Sequence, residues 1–123
     1  MGFAEEKPIY LQVAQKLEDA ILAGAFAEEE QIPSTTEISV TYRINPATAL
    51  KGVNLLVDDR IIYKRRGLGM FVCPGAKETI LSKRRQLFYD TFIASLLREA
   101  EKLGISREQV VALIQEESKN EPN

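Results

Sequence analysis

At 123 residues, with 45% hydrophobic and 28% charged residues, the chain has the size of one domain, or of a small domain with an appendage, and the composition of a folded protein. It contains no histidine and one cysteine, and its formal net charge is −2. This excludes a disulfide scaffold, removes the usual residues of acid–base and metal chemistry, and argues weakly against a polyanionic partner.

The residues before the first helix, Met1-Gly2-Phe3-Ala4-Glu5-Glu6-Lys7-Pro8, are acidic and lack the apolar core of a signal peptide. From Pro8 the apolar residues Tyr10, Val13, Ala14, Leu17, Ala20 and Ile21 recur at steps of three and four, which predicts a helix over 8–23 capped by Gly24. The connector over 25–30 carries Glu28-Glu29-Glu30 and is expected to be a solvated loop.

Gln31 to Val72 is the organising stretch. Ser34 with Glu37 forms a capping box opening a short helix over 35–42, whose Ile38 and Tyr42 face inward. Arg43-Ile44 makes a turn, Asn45 caps the next helix, and Pro46 takes its first position, where a missing N–H costs nothing. On this second helix Ala49, Leu50, Val53, Leu56 and Val57 are expected to be buried. Ala47, Thr48, Lys51, Asn54 and Asp58 form the opposite stripe, which suits a major groove and equally suits an ordinary surface helix. Ile61-Ile62-Tyr63 and Met70-Phe71-Val72 are β-prone runs joined by the basic turn Lys64-Arg65-Arg66-Gly67-Leu68-Gly69, the signature of a hairpin with a sharply bent tip. Two short helices and a basic hairpin are the plan of a winged helix-turn-helix.

Cys73 is expected to be a small apolar residue ending a strand, and Pro74-Gly75 punctuates the unit. A long helix is predicted over 77–103, with Ile80, Leu81, Leu87, Phe88, Tyr89, Phe92, Ile93, Leu96, Leu97, Ala100 and Leu103 on a broad apolar side. That side is too large for one helix on a small domain and calls for a partner. Gly104 ends it, and Ser106 with Gln109 starts a last helix whose Val110, Leu113 and Ile114 share a face. Ser118 onward is polar and expected to fray.

The fold class is therefore mainly α with a small β-hairpin: a winged helix-turn-helix over 1–75, followed by a two-helix dimerisation tail over 76–123. Charge follows the same division. Residues 1–33 hold two bases and seven acids, residues 34–75 six bases and three acids, and residues 76–123 eight of each. The only net-basic third holds the helix pair and hairpin, and the shape of the field matters more than the total for steering a polyanion.

Five fragments in order, Pro8-Ile9-Tyr10-Leu11-Gln12, Gly24-Ala25-Phe26, Ile32-Pro33-Ser34, Asn45-Pro46-Ala47-Thr48 and Gly67-Leu68-Gly69-Met70-Phe71-Val72, resemble the N-terminal domain of the GntR family of bacterial transcription regulators. The short tail is similar to that of the YtrA-like subfamily, in which a brief helical tail pairs two subunits. The resemblance implies that the N-terminus of the Ser34 helix, with Thr35 and Thr36, meets a phosphate. It implies that Thr48 and Lys51, beside Asn45 and Ala47, reach the major groove, and that Lys64, Arg65, Arg66 and Gly67 form the wing. This chain departs from the family pattern at four places. Thr36 stands where an arginine that contacts DNA is usual, leaving Arg43 or Lys51 as candidates for that contact. Gly52-Val53 replaces Ala-Tyr, Arg60 replaces a glycine that caps the second helix, and Glu28-Glu29 replaces Pro-Gly.

The expected function is that of a homodimeric, sequence-specific DNA-binding regulator, more often a repressor, acting on an inverted repeat and controlling, by the resemblance, a transporter operon. The alternative is a winged helix used as a protein-interaction module. An enzyme is not expected: Cys73 lacks a base, and Asp58-Asp59 reads as a helix end. The expected partners are double-stranded DNA and a second copy, in the cytoplasm, with no membrane, cofactor or metal. The dimer seam is expected to use Ile80, Leu81, Leu87, Phe88, Phe92, Leu96, Leu103, Val110, Leu113 and Ile114. The alternative for Phe88 and Phe92 is that they fold back on the winged helix of their own chain. A small-molecule effector is unidentified, and its place would be a crevice between tail and wing or between tails.

Overall fold

The computed structural model describes residues 7–120, with side chains through residue 117, so the expected fraying beyond Ser118 falls largely outside the described residues. The elements are α1 (Ile9–Leu22), α2 (Thr35–Tyr42), α3 (Pro46–Asp58), β1 (Ile62–Arg65), β2 (Gly69–Val72), α4 (Ala76–Phe88), a π-helical turn (Tyr89–Ile93), α5 (Ala94–Lys102) and α6 (Arg107–Asn120). They form two compact units, one ending at Ser82 and the other beginning at Lys83, so that α4 belongs partly to each.

In the first unit α1 starts after Pro8 and ends in a Schellman closure: the Gly24 and Ala25 N–H groups return to the Ile21 and Ala20 carbonyls at 3.1 and 2.9 Å. The apolar stripe of α1 buries Val13, Ala14, Leu17 and Ile21 against Ile38 of α2 and Ala49, Val53 and Leu56 of α3. Gly52 allows this packing. A Cβ at that position would meet the Tyr10 carbonyl oxygen at 2.8 Å and Val13 Cγ1 at 3.2 Å, so α1 lies on the bare backbone of α3. The departure from the family's alanine thus has a steric reason in this chain.

That approach also decides which side of α3 is covered. Leu50, expected in the core, is 48% exposed, while Thr48, expected to face outward, is half-buried. The buried arc of α3 is centred on Ala49, Gly52, Val53 and Leu56, which leaves Leu50 on the open flank. The helix ends with Asp59 as cap and Arg60 at φ +61°, and the Arg60 and Ile61 N–H groups bond the Val57 and Leu56 carbonyls at 3.0 and 2.9 Å. This closure needs the left-handed backbone that glycine adopts readily and arginine does not. Arg60→Gly is therefore expected to stabilise the protein by about 1 kcal/mol in a urea melt; an unchanged or lowered midpoint would count against strain at this cap.

The strands β1 and β2 pair antiparallel, Ile62 with Val72 through Arg65 with Gly69. Ile62 and Val72 point into the core with Ile61, whereas Tyr63, Arg65 and Phe71 share the other face. The acidic connector is the exposed loop that its composition suggested, with Glu28, Glu29 and Glu30 all open to solvent, but its backbone is tied to β2. The Glu29 N–H bonds the Val72 carbonyl at 2.8 Å, the Val72 N–H bonds the Glu30 carbonyl at 2.9 Å, and the Ile32 N–H bonds the Met70 carbonyl at 2.9 Å. Residues 29–32 thus lie along β2 like a third strand. Glu28 also uses its carboxylate across the chain, accepting the Gly75 N–H at 2.7 Å.

The start of α4 closes this core. Ala76 and Ile80 are fully buried among the winged-helix residues. Ile80 is therefore not a seam residue: it is covered by its own chain and has no surface left for a second copy. In the second unit the long predicted helix is interrupted by the π turn, which accommodates an extra residue and shifts the phase of the apolar side. Val110 is likewise buried, where α5 and α6 pack, and is also removed from the expected seam. Leu81 is half-buried. Leu87, Phe88, Phe92, Leu96, Leu103, Leu113 and Ile114 are each at least 40% exposed. Phe88 and Phe92 pack on each other at 5.5 Å between centroids and stay 57% and 59% exposed.

Candidate nucleic-acid interface

Three elements carry the residues singled out in the sequence, all within the first unit. The first is the start of α2. Ser34 Oγ accepts the Glu37 N–H at 3.1 Å, and Glu37 Oε1 accepts the Ser34 N–H at 2.9 Å, the reciprocal pair of a capping box. The backbone and hydroxyl of Ser34 hold the Glu37 carboxyl below its ordinary pKa. The carboxylate thus occupies part of the positive end of α2. Of the first turn, the Thr35 and Thr36 N–H groups remain to meet an external anion, and Thr36 is exposed.

The second element is α3. Asn45 Oδ1 accepts the Ala47 N–H at 2.7 Å, and Pro46 holds the first helical position. The open side presents Ala47, Leu50, Lys51, Asn54 and Asp58, and with Tyr10 and Leu55 these line a shallow depression of about 390 Å³. Lys51 does not project freely. Its Nζ sits 4.1 Å above the centre of the Tyr10 ring, a cation–π contact that fixes the ammonium beside the helix. Tyr10 and Leu50 are the residues that sequence reasoning missed here. Tyr10 read as part of an apolar stripe, and nothing local to α3 distinguished Leu50 from a core leucine. Arg43, in the turn between α2 and α3, is exposed at φ +55°.

The third element is the hairpin tip. Lys64, Arg66 and Gly67 are exposed. Arg65 is not equivalent to them, although all three cations are adjacent in sequence. Its Nη2 donates to Glu29 Oε2 at 2.8 Å and to the Tyr63 hydroxyl at 2.7 Å, and its guanidinium lies 4.2 Å from the centre of the Phe71 ring. Gln31 braces the tip from the same side, its Nε2 donating to the Leu68 carbonyl at 2.7 Å. Glu29 and Gln31 lie more than thirty residues from their partners in the chain, and no spacing rule points to them.

Chemistry of bond making has little support in this surface. Cys73 is half-buried, and burial pushes its thiol pKa up, away from a nucleophilic thiolate. Among the described residues no cluster of histidine, cysteine, aspartate and glutamate could hold a metal ion, and no helix is long and apolar enough to cross a membrane. What the first unit leaves exposed is polar and cationic instead: the α2 N-terminus at Thr36, the open side of α3 with Lys51 and Asn54, and the hairpin tip with Lys64 and Arg66.

The pattern described as bacterial regulatory proteins of the gntR family matches residues 9–72, more than half of the chain. The chain is 27% identical over 109 residues to the HTH-type transcriptional repressor YtrA of Bacillus subtilis (strain 168), covering 89% of this chain and 83% of YtrA. Its fold superposes with a TM-score of 0.74 on a crystal structure of a GntR-family transcriptional regulator from Bacteroides thetaiotaomicron, at 36% identity over 90% of this chain and 96% of that one. A crystal structure of AraR(DBD) in complex with operator ORX1 superposes with a TM-score of 0.54, at 27% identity over 59% of this chain and 90% of that one. The chain belongs to the GntR family of bacterial helix-turn-helix transcription regulators.

Proposed function

We propose that the protein is a homodimeric repressor that binds an inverted-repeat operator, with α3 in the major groove and the hairpin tip at the minor groove, in the bacterial cytoplasm. The observation that carries this reading is the open row of Leu87, Phe88, Phe92 and Leu96 in the second unit, each 40–59% exposed, in a chain whose first unit belongs to a DNA-binding family. Such a row is costly to leave in water, and a second copy covers it and doubles the recognition surface. A two-fold dimer reads two half-sites about one helical turn apart, which makes the operator palindromic. YtrA is named a repressor and spans nearly the same length, which supports the sign of regulation; a transporter operon is the target class that the subfamily resemblance suggests. The second unit also holds a cleft of about 400 Å³ lined by Tyr89, Leu97, Arg98, Glu101, Arg107 and Val110, and there we place any small-molecule effector.

Genomic fragments captured by the purified protein, followed by footprinting, test the reading: protection of two symmetric half-sites is expected, and absence of duplex binding at low salt would overturn it. Arg66→Ala is expected to weaken binding on operator and random duplex alike and to flatten the plot of log affinity against log salt by about 0.9, the slope of one released counterion. A loss confined to the operator would make Arg66 a base-reading residue instead of a phosphate contact.

A further inference from the structure

Three adjacent cations occupy the hairpin tip, but one of them is already engaged. The Arg65 Nε and Nη2 donate to the Tyr63 hydroxyl at 3.1 and 2.7 Å, Nη2 also donates to Glu29 Oε2 at 2.8 Å, and the Tyr63 hydroxyl in turn donates to the same Glu29 oxygen at 2.6 Å. The guanidinium stacks 4.2 Å from the centre of the Phe71 ring. This triangle stands at the surface, with the Arg65 and Glu29 side chains 41% and 46% exposed, so a phosphate can reach what the carboxylate now holds.

Glu29 is built into this position. Its backbone sits at φ +69°, a conformation that side-chain-bearing residues rarely adopt, and its N–H is bonded to the Val72 carbonyl at 2.8 Å. Strain of this kind persists where the surrounding structure over-determines it, and here the two ends of residues 29–32 are bonded to β2. The acid therefore faces Arg65 as part of the hairpin.

Resting on the DNA-binding reading above, we propose that Glu29 restrains the affinity of the wing for DNA by holding Arg65 in an ion pair that a backbone phosphate must displace, which makes Glu29 a positioning residue for Arg65. A guanidinium matched to one carboxylate contributes little net charge to a polyanion until the pair opens. On opening, Arg65 exchanges one oxyanion for another, and its guanidinium fork can meet a phosphate with two N–H groups where it now gives Glu29 one. The wing then acts with two cations, Lys64 and Arg66, in its resting state, and with three when the pair is open.

The experiment measures binding to random-sequence duplex DNA over a salt series for the wild type, Glu29→Gln, Arg65→Met and the double variant. Glutamine keeps the size and the acceptor oxygen, and methionine keeps packing on Phe71; circular dichroism confirms that each variant is folded. Glu29→Gln is expected to bind about three- to fivefold more tightly, the range open to an exposed ion pair. Its salt dependence is expected to steepen by about one phosphate. In the Arg65→Met background the same change is expected to do nothing. An equal gain in both backgrounds would show a bulk charge effect and overturn the proposal, as would no gain with a wild type that binds. A wild type that binds no duplex at all overturns the DNA-binding reading, and this proposal with it.

Discussion

Phe92→Glu is expected to convert the protein from dimer to monomer at micromolar concentration. Phe92 is 59% exposed in the single chain and stacks only on Phe88 among the described aromatic rings. The substitution therefore leaves the fold of the second unit nearly untouched. In the proposed dimer the carboxylate would lie in an apolar seam without a partner, and burying an unpaired charge costs several kcal/mol, or a rise in dissociation constant of about a hundredfold or more. Light scattering reads the mass directly. DNA affinity should fall with it, because a tethered second domain reaches its half-site at a high effective concentration that a free monomer lacks. An intact dimer with normal circular dichroism would move the seam away from Phe92.

Ile80→Ala is expected to do the opposite: to destabilise the fold by about 2–5 kcal/mol and leave the oligomeric state of the folded protein unchanged. Ile80 is on the same long helical stretch as Phe92, yet it is fully buried as a member of the first unit's core. Removing three carbons there opens a cavity that rigid neighbours fill only in part. A thermal melt should show the midpoint falling by about 10 °C or more for a unit of this size. A dimer lost at temperatures where Ile80→Ala remains folded would return that residue to the seam.

These two positions show where periodicity stops informing. Ile80 and Phe92 satisfy the same three-and-four spacing, and spacing reports that a residue belongs to an apolar side without saying what covers it. The same limit operated on α3. Leu50 is an ordinary core-type residue by pattern, and it became exposed because Gly52 lets α1 approach from one side and turns the buried arc away from it. Among the cations, Lys64, Arg65 and Arg66 are indistinguishable in sequence. Only the return of residues 29–32 along β2 gives Arg65 an acid, a phenol and an aromatic face.

What the chain declares locally was legible. Ser34 with Glu37 and Asn45 with Pro46 cap their helices through groups no more than three residues apart, so the bond that forms is implied by the residues that form it. The hairpin, the turn at Arg43 and the order of two short helices followed by a wing follow from signals of the same range, and with them the family. What the tertiary structure decided is which members of each stripe and each basic run remain available: Leu50 but not Ile80, Arg66 more freely than Arg65, and the acidic connector as a brace for the wing. These outcomes depend on contacts between segments more than thirty residues apart. Such contacts are chosen by shape and hydrogen-bond closure of the whole unit, for which no single stretch of sequence carries the information.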